Sequence, residues 1–143
     1  MTPAETPVPG EGASGLVDES LGESLRGSLG ESLRGSLIEG RAAVAARVDG
    51  LEATLRELVL SRESANDDDE HDPEGVTLSS EWSRLSGLAE AARAELAETD
   101  AALGRWDAGT YGVCARCGGP IPIERLEVRP FATRCVPCAS AAG

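Results

Sequence analysis

The sequence predicts a mainly α chain: an antiparallel two-helix coiled-coil hairpin, preceded by a disordered tail and followed by a small C-terminal module held by four cysteines. Three observations predict it. Two long stripes of apolar residues alternate four- and three-residue spacing, a turn sequence separates them, and two C-x-x-C pairs follow the second stripe.

Residues 1–36 read as a low-complexity flexible tail rich in Gly, Ser, Pro and Glu, in which the unit S-L-G-E-S-L-R-G begins at Ser20 and again at Ser28. A period this short does not build a solenoid. Leu21, Leu25, Leu29, Leu33 and Leu37 recur every four residues. Against them stand Gly22, Gly27, Gly30 and Gly35, each costing a helix about 1 kcal/mol relative to Ala.

The hairpin is expected over residues 37–108. Val44, Val48, Leu51, Leu55 and Leu58 place one narrow apolar stripe along its first helix. Leu78, Trp82, Leu85, Ala89, Ala92, Leu96, Thr99, Leu103 and Trp106 continue the pattern along a second helix, so Trp82 and Trp106 are expected to be buried against the first. Gly109 stands where a left-handed helix cap is expected. Between the stripes, residues 64–77 have no periodicity and contain Asp72-Pro73-Glu74-Gly75, a sequence suited to a type I turn. The chain should reverse there, which makes the hairpin a monomer. A parallel dimer would strand that turn in mid-rod.

Composition narrows the function. The 143 residues carry 25 acids against 13 bases, all of them Arg, for a formal charge of -12, and only 3% are aromatic. Such a polyanion is repelled by nucleic acid and anionic membranes, so a protein partner with a basic surface is the better expectation. No apolar run approaches bilayer length, and residues 1–12 have neither the basic nor the apolar region of a signal peptide. A cytoplasmic location is expected, where paired cysteines hold metal rather than form disulfides.

Residues 109–143 form the cysteine module. Cys114, Cys117, Cys135 and Cys138 follow C-x2-C-x17-C-x2-C. A two-residue gap lets both thiolates of a pair reach one ion at about 2.3 Å, and the distant pair completes a tetrahedron. One structural Zn2+ is therefore expected. Gly118-Gly119 suits the tight turn of such a knuckle, and Arg116, Arg125, Arg129 and Arg134 can offset the excess charge of four thiolates on one ion. A catalytic zinc needs an open position usually framed by His or carboxylate, yet the lone His71 precedes the module by some forty residues. A redox pair would sit in a βαβ context that is absent from the pattern. The module has four Arg against Glu124 and Glu127, so with the metal centre it is nearly neutral and poorly suited to grip nucleic acid. No enzymatic function is expected.

The acid run Asp67, Asp68, Asp69, Glu70 and Asp72 lacks the spaced ligands, central Gly and closing Glu of a calcium-binding loop. His71, alone in a polar loop, reads as solvated.

Residues 111–130, from Tyr111-Gly112-Val113-Cys114-Ala115-Arg116-Cys117-Gly118-Gly119 through Ile121, Arg125-Leu126 and Pro130, closed by Cys135-Val136-Pro137-Cys138, resemble the C4-type zinc fingers of the DksA/TraR family. The expected hairpin ahead of them extends the likeness to about residues 37–139. The resemblance implies a bacterial regulator of transcription that binds RNA polymerase, with the hairpin in the secondary channel and the acids at its tip near the catalytic centre, and without direct DNA binding. Asp67, Asp68, Asp69, Glu70 and Asp72 would form that partner-binding tip. The family's tip pattern is D-x-x-D-x-A, and here Glu74 stands where the Ala would fall. The alternative is a zinc-stapled coiled-coil adaptor that binds some other protein, unrelated to transcription.

Overall fold

A computed structural model describes residues 27–65 and 74–141, with Glu23 and Leu25. Among the described residues, four helices follow one another: α1 (Ser28–Ala65), α2 (Glu74–Asp107), α3 (Ile123–Val128) and α4 (Val136–Ser140). The chain divides into two compact units, residues 35–107 in one, and Ala108 onward with the first turns of α1 in the other.

In the first unit α1 and α2 run antiparallel. Among the described residues, ion pairs that cross between them include Arg41 with Asp100, Arg47 with Glu95, and Arg93 with Glu52 at 2.8 Å. Their numbers climb along α1 as they fall along α2, which only opposed helices in one register allow. Each pair is surface-exposed and contributes at most about 1 kcal/mol. Their joint value is in choosing the register.

Burial supplies most of the adhesion. Leu37, Val44 and Val48 of α1 and Leu85, Ala89, Ala92, Thr99 and Ala102 of α2 are buried. Ala89 and Ala102 are fully enclosed, and small residues at those positions let two helices approach closely without a third layer. Thr99 is the one buried polar residue among those described, and its hydroxyl donates to the Glu95 carbonyl at 2.8 Å. That bond removes the desolvation penalty of an unpaired hydroxyl.

Three expectations are corrected. Helix α1 begins at Ser28, so residues 28–36 are helical rather than part of a tail, and Leu33 and Leu37 are buried. Gly35 has open space around it and costs the helix only its propensity term, which extending an existing helix outweighs. Residues 64, 65 and 74–77 of the expected loop 64–77 are helical, because α1 reaches Ala65 and α2 starts at Glu74; the rest of it lies outside the described residues. Trp82 is 46% exposed rather than buried. A two-helix seam is narrower than an indole, so placing Trp on the stripe orients the ring without enclosing it. Trp106 is half-buried. The tail expected before residue 23 lies outside the described residues.

No described helix is long and apolar enough to cross a membrane.

The seam makes a paired prediction. Ala89→Leu overfills a closed contact and should lower the unfolding free energy by about 1–3 kcal/mol. Gly87→Ala meets nothing within 4 Å and should raise it by up to about 1 kcal/mol. Urea unfolding followed by circular dichroism measures both.

Candidate metal centre

The second unit is built from short pieces. From Ala108 onward its buried apolar residues, besides the ligand Cys114, are Tyr111, Ile121 and Leu126. The Tyr111 hydroxyl donates to the Pro130 carbonyl at 2.9 Å, closing the segment over them. Helix α2 ends at Asp107 and Gly109 adopts φ +72°, the left-handed cap expected from sequence.

The first cysteine pair sits in a tight knuckle. The amide of Ile121 donates to Gly112 O at 2.7 Å and that of Cys114 to Gly119 O at 2.8 Å, a two-stranded clasp marked by the Val113–Pro120 bridge. Within it the Gly118 amide donates to Cys114 O at 2.9 Å. Gly118 takes φ +70° to make the turn, a conformation in which a Cβ would be strained. The Gly119 amide points at the Cys117 sulfur, 3.4 Å away.

The second pair opens a helix. Cys135 is the N-cap of α4, Pro137 fits its first turn, and Cys138 lies three residues on, on the same face as Cys135. The Ala115 amide donates to Thr133 O at 2.8 Å and ties the knuckle to the segment that delivers this pair. The Arg125 guanidinium donates to Arg134 O at 3.1 Å, and Arg116 reaches Cys138 O at 3.5 Å. Two of the arginines expected to offset thiolate charge thus also hold the backbone that carries the ligands.

All four sulfurs lie within 4.8 Å of one another. A zinc ion with Zn–S bonds of about 2.3 Å has tetrahedral sulfur–sulfur edges of about 3.8 Å. The Cys117–Cys135 sulfur separation is 3.8 Å. Cys114 is buried and Cys117 exposed, so the site is anchored on its inner side and open to solvent on the other. The residues fit one tetrahedral, thiolate-bound metal ion.

Electrostatics agree with an ion-binding set. Amides of Cys117 and Cys135 aimed at the Cys114 sulfur pull its thiol down to about 6. The Cys138 thiol, sharing hydrogen bonds first with Cys135, is pushed up to about 12. Four sulfurs this close cannot all carry charge without a cation between them.

Comparison with known proteins decides the family. The sequence pattern of the prokaryotic DksA/TraR C4-type zinc finger matches residues 109–142. An uncharacterized protein of Aquifex aeolicus (strain VF5) is 35% identical over 102 residues, which are 71% of this chain and 68% of that one. The chain belongs to the DksA/TraR C4-type zinc-finger family. General stress protein 16O of Bacillus subtilis (strain 168) is 39% identical over 70 residues, 49% of this chain and 43% of its own. Among solved structures, that of transcription factor DksA2 from Pseudomonas aeruginosa matches with a TM-score of 0.69 and 25% identity, over 87% of this chain and 94% of that one. The likeness therefore extends past the zinc finger into the DksA/TraR helices.

The four cysteines expected as ligands are brought together by the fold. Asp67, Asp68, Asp69, Glu70 and Asp72 lie outside the described residues. Sequence reasoning missed the Tyr111–Pro130 lock. An aromatic next to a glycine, some twenty residues before a proline, is too weak a signal to show it.

Zinc binds thiolates, so loading must expel the proton held on Cys138. Affinity should therefore rise with pH, about tenfold per unit for each proton released. Competition with a chelator at pH 6 and pH 8 measures this, and an unchanged affinity contradicts it. Cys135→Ser should reduce bound zinc from one per chain to a small fraction by elemental analysis.

Proposed function

We propose that this chain is a non-enzymatic regulator of transcription that binds bacterial RNA polymerase through its hairpin, in the secondary channel, without direct DNA contact. Cys114, Cys117, Cys135 and Cys138 coordinate one Zn2+, whose role is structural. Asp67, Asp68, Asp69, Glu70 and Asp72 are the working tip; a polymerase partner puts the protein in the cytoplasm, and a hairpin that closes its own seam leaves it a monomer.

One observation carries this reading: the match to the DksA2 transcription factor runs along nearly the whole of both chains, helices as well as finger. Geometry adds a physical reason. Helix α2, with 34 residues, is about 51 Å long at about 1.5 Å per residue. The helix ends Ala65 and Glu74 therefore lie at the far end of the hairpin from Gly35 and Asp107. Carboxylates carried there can enter a narrow cavity and meet Arg, Lys or Mg2+.

An adaptor that binds another protein is favoured by one feature, Glu74 in place of the family's Ala at the tip.

Asp69→Asn/Asp72→Asn should keep the helicity of the parent and lose most of its effect on promoter-specific transcription, with polymerase binding weakened or retained. The comparison needs purified polymerase, a binding titration and run-off transcription. A parent chain that neither binds polymerase nor changes its output supports the adaptor instead. A double variant that acts like the parent removes the tip from the mechanism.

A further inference from the structure

The four ligands of the metal centre are not held alike. Cys114 is 1% exposed, whereas Cys117 lies in the open and Cys135 and Cys138 fall between these extremes. The run from Ala115 to Gly118 is exposed throughout, so the outer lip of the knuckle, Cys117 included, faces water. Beside Gly118 the space is free as well, since a Cβ built there meets nothing within 4 Å.

Hydrogen bonds repeat the contrast. Amides of Cys117, Cys135 and Arg116 are aimed at the Cys114 sulfur. The backbone of Cys114 is pinned on both sides, its amide donating to Gly119 O at 2.8 Å and its carbonyl accepting from the Gly118 amide at 2.9 Å. Cys135 caps α4 and its carbonyl accepts from the Ala139 amide at 2.9 Å. Cys138 sits inside that helix, where Arg116 reaches its carbonyl at 3.5 Å. The Cys117 sulfur faces the Gly119 amide at 3.4 Å and, beyond it, solvent.

This asymmetry decides which bond to the ion can open. A thiolate that leaves zinc must be solvated by something else. The Cys114 sulfur would pass from the metal into a buried site, an expensive place for an unpaired charge. The Cys117 sulfur passes directly into water. Its departure also takes one negative charge away from a centre in which four thiolates outweigh one divalent ion. Three sulfurs then keep the zinc with one position open, the coordination in which zinc accepts an outside ligand.

We propose that Cys117 is the exchange ligand of the centre: it is the sulfur that lets go of the zinc, and a small anionic donor takes the vacated position and can draw the ion out. In the exchange step the bond from zinc to the Cys117 sulfur breaks with both electrons staying on sulfur. A bond from the incoming donor atom to zinc forms, and nothing is oxidised or reduced. Arg116, exposed next to Cys117, favours a donor that carries negative charge. Cys114, Cys135 and Cys138 hold the ion and the fold meanwhile. The zinc is thereby structural in its role and yet replaceable from one side.

The test uses the full zinc-loaded chain and an anionic chelating dye, 4-(2-pyridylazo)resorcinol, whose colour reports released zinc. Cys117→Ser should retain about one zinc per chain by elemental analysis and give it up about tenfold faster than the parent. Cys114→Ser should retain only a small fraction. With Co2+ in place of zinc, Cys117→Ser should keep a tetrahedral visible spectrum with weaker sulfur-to-metal charge transfer. Gly119→Ala acts in the opposite direction. Gly119, unlike Gly118, takes no positive φ, and a Cβ there meets the Cys117 sulfur at 3.4 Å, so the added methyl rests against that sulfur and covers part of it. This variant should bind as much zinc as the parent, show the parent's Co2+ spectrum, and release zinc more slowly. Equal zinc retention by Cys114→Ser and Cys117→Ser overturns the assignment. So does a Gly119→Ala chain that releases zinc as fast as the parent or faster, whether or not Cys114→Ser folds.

Discussion

The convergence of four thiols on one point is the constraint on which the C-terminal unit depends. From Ala108 onward its apolar centre, besides the ligand Cys114, amounts to Tyr111, Ile121 and Leu126. At about 1.5–3 kcal/mol for each buried side chain, that centre is small for a segment with four prolines and few regular hydrogen bonds. A structural zinc site in a small module supplies about 10–16 kcal/mol of apparent binding energy at neutral pH. The ion outweighs the core. The backbone accordingly serves the sulfurs: Gly118 turns the knuckle, the Gly119 amide faces Cys117, and α4 places Cys135 and Cys138 on one face.

The hairpin solves a different problem. Two helices have only one seam in which to hide apolar surface, so the seam must be thin where it closes, and Ala89, Ala92 and Ala102 make it thin. Where large residues replace Ala, toward the 66–73 connection, the same geometry leaves them open to solvent. Adhesion is thus concentrated in the closed part of the helix pair. Ion pairs such as Arg93 with Glu52 hold the register in the closed part, and a fixed register is what keeps Val59 of α1 beside Trp82 of α2.

Much of this was legible in the residues. Cysteine spacing pointed to the metal site because two residues between thiolates is a geometric requirement rather than a statistical habit. The stripes pointed to the antiparallel hairpin because a turn sequence lay between them. The depth of burial was harder to read. Period assigns Trp82 to a face and says nothing of how wide the opposing surface is, and that width decided its exposure. Ala102 is buried while its neighbour Leu103 is only half so, since 3.6 residues per turn drifts against a strict heptad. The start of α1 was masked by Gly30 and Gly35, whose local cost the neighbouring helix absorbs. The carbonyl contacts of Arg116 and Arg125 depend on loop paths that no spacing rule encodes.

X-ray absorption at the zinc edge on the purified full chain tests the central claim most directly, because it counts and identifies the atoms around the ion. The account predicts one zinc with four sulfur neighbours at about 2.3 Å and no light-atom shell. A shell containing nitrogen or oxygen, or fewer than four sulfurs, would contradict it.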